Sequence, residues 1–103
     1  MELTESDAGA EHAVGVGQEL VVRLNENRTT GYRWQLTLPE DGVVLDDDTF
    51  EPDTSGRPGK GGVRTFRLRA TTAGTHRLAA TQRRGWESGG DAPPGLEFRV
   101  TAR

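Results

Sequence analysis

Apolar and polar positions alternate with period two along most of the chain and never sustain the 3.6-residue period of a helix, so the sequence predicts strands separated by Gly, Pro and Asp. After a polar start over residues 1–10, expected to be loose, residues 12–16 form a short first strand that Gly17 turns. Leu20, Val22 and Leu24 alternate with Glu19, Val21 and Arg23 in a second strand ending near Asn25. Tyr32, Trp34, Leu36 and Leu38 alternate with Arg33, Gln35 and Thr37, the clearest half-buried strand of the chain, and Pro39 stops it. Residues 43–45 and 49–51 predict two short strands on either side of Asp46-Asp47-Asp48. That triplet reads as a solvated turn, because a calcium loop needs alternating ligands, a glycine and a distal bidentate Glu, and none is correctly spaced. Phe66, Leu68 and Ala70 share one face of a strand over 63–70. Residues 71–74 turn the chain into the next strand, where His76, Leu78 and Ala80 share a face and His76 covers the edge of the core. Leu96, Phe98, Val100 and Ala102 mark the last strand.

The expected fold class is therefore all-β. Regularly spaced short strands with a Trp in the third clear one predict a Greek-key sandwich of seven to eight strands resembling immunoglobulin domains, with Trp34 and Tyr32 in its core. A length of 103 residues suits one such domain, spanning 11–103. Leu, Val and Phe total 20 residues with no Ile, which predicts a thin core, but a net charge of only -3 argues against disorder.

Charge and composition then exclude several classes of function. Twelve Arg and one Lys are outweighed by 16 acidic residues, so the chain lacks the positive excess that a phosphate backbone attracts, and no nucleic-acid partner is expected. Without cysteine there is neither a disulfide nor a thiolate nucleophile. His12 and His76 lack a Cys partner, no Ser lies in a nucleophile elbow, and two His residues so far apart form no metal-ligand pattern; neither an enzyme, a metal nor a cofactor is expected. The acidic start lacks the basic flank and apolar run of a leader, and no segment reaches the ~20 apolar residues of a membrane span. The sequence as it stands thus predicts a soluble cytoplasmic protein, or a periplasmic or secreted one if a leader has been removed.

The unusual residues fall in the connections. Segments 26–31, 55–62 and 83–94 correspond to the B–C, D–E and F–G connections of an immunoglobulin-like topology, and all three can gather at one end of the sandwich. Gly31 can adopt positive φ at no steric cost, and Asn27 can hold the other side of the same turn by bonding nearby amides. Thr29 and Thr30 carry hydroxyls that can satisfy polar groups in a narrow cleft, and glycines permit close backbone approach. Trp86 offers a large flat surface with a polar N–H, the type of residue that most often anchors an interface.

These segments carry a specific resemblance. Asn27-Arg28-Thr29-Thr30-Gly31-Tyr32-Arg33-Trp34 resembles the Asn-Pro-Thr-Thr-Gly-Tyr-x-Trp motif of the chagasin-like cysteine peptidase inhibitors. Gly59-Lys60-Gly61-Gly62 matches that family's Gly-x-Gly-Gly, and Arg84-Gly85-Trp86 is similar to its Arg-Pro-Trp, in the same order and spacing. The resemblance runs from about residue 11 to the end. It implies an immunoglobulin-like, monomeric, reversible inhibitor of papain-family cysteine peptidases, endogenous or foreign, whose three motif loops form one edge. Thr29 and Thr30 would enter the cleft flanked by Asn27, Arg28 and Gly31; Gly59, Lys60, Gly61 and Gly62 would run along one wall; Arg84, Gly85 and Trp86 would hold the other. Arg28 and Gly85 stand where the family has Pro, so both loops lose a fixed φ. The residues also leave open an immunoglobulin-like adhesion module that uses the same loops without inhibiting a peptidase.

Overall fold

The computed structural model describes residues 1–26, 32–52, 61–84 and 95–103, without the side chains of residues 83 and 84. Among the described residues eight strands run in the order β1 Glu2–Leu3, β2 Glu11–Val14, β3 Glu19–Glu26, β4 Tyr32–Thr37, β5 Val43–Pro52, β6 Gly62–Ala70, β7 Gly74–Arg84 and β8 Leu96–Ala102. They form two four-stranded sheets, ordered β1-β3-β6-β5 and β2-β8-β7-β4. Facing sheets of this kind are an immunoglobulin-like sandwich.

The alternation that predicted the strands also builds the core. Leu20, Val22 and Leu24 of β3 and Phe66, Leu68 and Ala70 of β6 turn inward from one sheet. Leu78 and Ala80 of β7, Phe98, Val100 and Ala102 of β8, and Trp34 of β4 meet them from the other. Burial of these side chains is the main favourable term for folding, at roughly 25 cal/mol per Å² of apolar surface removed from water.

Two expectations change. The Asp triplet is no turn: β5 runs unbroken through it, with a register shift between Leu45 and Asp47 in its pairing with β6. Arginines on the neighbouring strand explain this. Arg69 meets Asp46 through Nε to Oδ2 at 2.6 Å and Nη2 to Oδ1 at 3.0 Å, and Arg64 engages Asp48 through Nη2 to Oδ2 at 2.6 Å. Cross-strand carboxylate–guanidinium pairs thus offset the low strand propensity of Asp, and the bulge absorbs the extra residue.

The first ten residues are not loose either. Leu3 is buried in the core at 2% exposure, and β1 lies parallel to β3, with the Val21 N–H donating to the Met1 carbonyl at 2.9 Å. A 3-10 turn over Glu5–Asp7 follows, closed by the Thr4 N–H donating to Asp7 Oδ2 at 2.8 Å, and it carries the chain across to β2, which pairs in parallel with β8 in the other sheet. A single apolar residue at the third position is too short a pattern for periodicity to detect.

Candidate functional site

The register of the strands fixes where the motif segments emerge. In the first sheet Glu26 at the end of β3 pairs with Gly62 at the start of β6, and Gly62 pairs with Pro52 at the end of β5. In the second, Tyr32 at the start of β4 pairs with Arg84 at the end of β7, and Leu96 at the start of β8 pairs with Ala80 four positions earlier. Segment 27–31 joins β3 to β4 across the two sheets, 53–61 joins β5 to β6, and 85–95 joins β7 to β8. All three connections therefore leave the same end of the sandwich, the arrangement in which a rigid scaffold mounts several binding loops together.

Of the residues singled out in the sequence, Tyr32, Trp34, Gly61, Gly62 and the backbone of Arg84 are described; Asn27, Arg28, Thr29, Thr30, Gly31, Gly59, Lys60, Gly85 and Trp86 lie outside the described residues. The structure thus gives the stems of the three connections. Trp34 is buried and Tyr32 half-buried, so both lie on the scaffold side of the first motif. Gly62 is required by packing: a Cβ there would run into the Glu51 carbonyl and come within 2.7 Å of Phe50 Cζ and 2.8 Å of Pro52 Cα. The last glycine of the second motif therefore lets β5 and β6 close tightly at the loop base. Gly95 plays the same part for the third connection, since a Cβ there would lie 2.8 Å from the Ala80 carbonyl oxygen.

The stem of the first connection is bound across the sheets. Trp34 donates its backbone N–H to Glu26 Oε1 at 2.6 Å and its indole Nε1–H to the Asn25 carbonyl at 2.7 Å. Glu26, only 2% exposed, faces inward as the next step of the Leu20, Val22, Leu24 alternation. Its Oε1 also accepts from Arg64 Nη1 at 3.2 Å, and Arg64 continues the Phe66, Leu68 face of β6 toward the same end. The guanidinium lies 5.2 Å from the centroid of the Phe66 ring and reaches on to Asp48. The hydrogen-bonded Asp48 carboxylate holds Arg64 above its ordinary value, against partial desolvation, with Glu26 adding to the effect. Sequence reasoning stopped β3 at Asn25 and missed this pair, although extending the period-two pattern by one step on each strand places both charges on the inner face.

His76 is buried at 8% exposure, with Nε2 2.9 Å from the Thr72 carbonyl oxygen, and pairs in register with Val100 toward the opposite end of the sandwich. It packs against Gly42, whose φ of +95 and close approach to the ring leave no space for a side chain. Among the described residues no group of three or more His, Asp or Glu side chains could hold a metal.

An immunoglobulin-like sandwich with three connections gathered at one end defines a class of scaffold that binds by its loops. Residues 13–102 match the Chagasin family peptidase inhibitor I42, and the chain belongs to that family. It is 30% identical over 103 residues to Amoebiasin-2 of Entamoeba histolytica, covering 98% of this chain and 84% of that protein. It is 29% identical over 89 residues to Chagasin of Trypanosoma cruzi, covering 82% and 81% of the two chains. The crystal structure of a cysteine protease inhibitor from Entamoeba histolytica superposes with a TM-score of 0.86 at 25% identity, covering 99% of this chain and 93% of that one.

Proposed function

We propose that this protein is a reversible, tight-binding inhibitor of papain-like cysteine peptidases that occupies the active-site cleft with the three connections at one end of its sandwich. The convergence of segments 27–31, 53–61 and 85–95 on that end is the observation that carries the reading. Each segment contains or adjoins one of the family motifs.

In this reading Thr29 and Thr30, between Asn27 with Arg28 and Gly31, approach the catalytic cysteine of the peptidase. Gly59, Lys60, Gly61 and Gly62 line one wall of the cleft, and Arg84, Gly85 and Trp86 the other. Inhibition needs no chemistry from the inhibitor: it excludes substrate, and affinity comes from surface buried by loops whose stems are held before docking, which limits the entropy lost on binding. Trp86 is the proposed anchor, because a large aromatic with one polar group gains most from a desolvated pocket. Arg28 places a charge where relatives have Pro and favours peptidases with an acidic subsite near the cysteine.

Variants at the two ends of the sandwich test the assignment. Trp86→Ala and Thr30→Ala should each weaken inhibition, Trp86→Ala by about 2 kcal/mol or more. Thr72→Ala, at the other end, should leave the inhibition constant as in the parent. Unchanged inhibition by Trp86→Ala would remove Trp86 from the site, and a loss by Thr72→Ala equal to that of the loop variants would refute the assignment to this end.

A further inference from the structure

We propose that Glu26, held by Arg64, is a positioning residue for the inhibitory edge: the pair brackets the stems of the first and second motif connections and keeps them in register with each other. This inference rests on the inhibitory reading above, and neither residue lies in the three motif segments 27–34, 59–62 and 84–86.

Glu26 is the residue immediately before the first motif, and its carboxylate accepts the N–H of Trp34, the last residue of that motif, at 2.6 Å. One carboxylate oxygen thus spans the entry and exit of segment 27–31, which lie in different sheets. The same oxygen accepts from Arg64 Nη1 at 3.2 Å, two residues beyond Gly62, where the second motif ends. Arg64 in turn grips Asp48 on β5, the strand that leads into segment 53–61. The chain of contacts Trp34, Glu26, Arg64, Asp48 therefore crosses both stems of both connections. It reaches the third connection through β4, because Trp34 pairs with Gln82 and Tyr32 with Arg84.

The chemistry fits positioning better than packing alone. Side chains at these two inner positions could be apolar, as those at Leu24 and Phe66 are, and a buried ion pair is weak grounds for stability in itself. What a carboxylate and a guanidinium supply is direction: charge-assisted hydrogen bonds with fixed geometry. A 2% exposed Glu shielded by an Arg 16% exposed at its side chain, located at the base of the proposed binding edge, holds that geometry away from competing water.

The test compares Glu26→Gln, Glu26→Leu and Arg64→Lys with the parent and with Val100→Ala, a core change toward the opposite end. Each is followed by thermal melting, by the inhibition constant for papain below the melting range, and by backbone 15N relaxation of residues 27–31 and 53–61. Glu26→Gln keeps an acceptor for the Trp34 N–H and should inhibit nearly as the parent does. Glu26→Leu and Arg64→Lys should weaken inhibition by about tenfold or more while still folded, as expected when binding must first order its loops. Both should also increase motion in the two segments. Val100→Ala should melt earlier yet inhibit like the parent. Folded Glu26→Leu or Arg64→Lys with parental inhibition and relaxation would overturn the proposal, as would an equal loss in Val100→Ala. If Glu26→Leu does not fold, Arg64→Lys decides alone. A parent that fails to inhibit papain would count against the inhibitory reading, while the relaxation data would still decide whether the bracket orders the two segments.

Discussion

The indole Nε1–H of Trp34 donates to the Asn25 carbonyl at 2.7 Å, joining the last residues of β3 in one sheet to the first residues of β4 in the other. Burying a tryptophan leaves its N–H in need of a partner, and the backbone of β3 supplies one where the chain is about to leave the sheet. Trp34→Phe preserves most of the buried ring but removes the donor and leaves the carbonyl without it. The variant should lose about 1–3 kcal/mol of stability in urea denaturation. A midpoint equal to that of the parent would show that the bond contributes nothing to the scaffold.

The N-terminal strand gives a second prediction. Leu3→Ala should cost about 2–5 kcal/mol, as truncation of a buried leucine does. Its neighbour Glu2 makes an exposed pair with Arg23 at 3.6 Å, so Glu2→Ala should change stability by less than about 1 kcal/mol. Equal midpoints for the two variants would mean that β1 is not part of the folded unit.

Acid should expose the contribution of the β5–β6 pairs. The hydrogen bond from Arg69 holds the Asp46 carboxyl below its ordinary value against desolvation, and the Arg69 charge adds to the lowering. A carboxyl whose folded value is depressed contributes stability above the unfolded value of about 4 and loses it as pH falls through the folded value. Asp46→Asn should therefore melt earlier than the parent at neutral pH, and the gap should close as the pH drops below the ordinary carboxylate range. A gap that persists to pH 2 would contradict this account of the pair.

Strand by strand, the fold was legible wherever one face alternates cleanly, as in Leu20, Val22 and Leu24 or Phe98, Val100 and Ala102. It was illegible where charge had to be read in pairs. Asp46-Asp47-Asp48 carries the composition of a turn, and only the Arg64 and Arg69 of a strand some twenty residues away make it a strand. Leu3 is a single apolar residue without a period, and its burial follows from pairing with β3. In the candidate site the motif residues announced themselves through resemblance, and Tyr32 and Trp34 through alternation. Glu26 and Arg64 continue that alternation by one step at the ends of their strands, but a charged residue there reads as solvated until its partner is seen.

The most direct measurement of the central claim is the steady-state inhibition of a papain-like cysteine peptidase, such as papain or cathepsin L, at several substrate concentrations. The account predicts reversible, competitive inhibition with a nanomolar constant. Absence of inhibition across a panel of such peptidases at micromolar protein, or inhibition that substrate does not relieve, would contradict it.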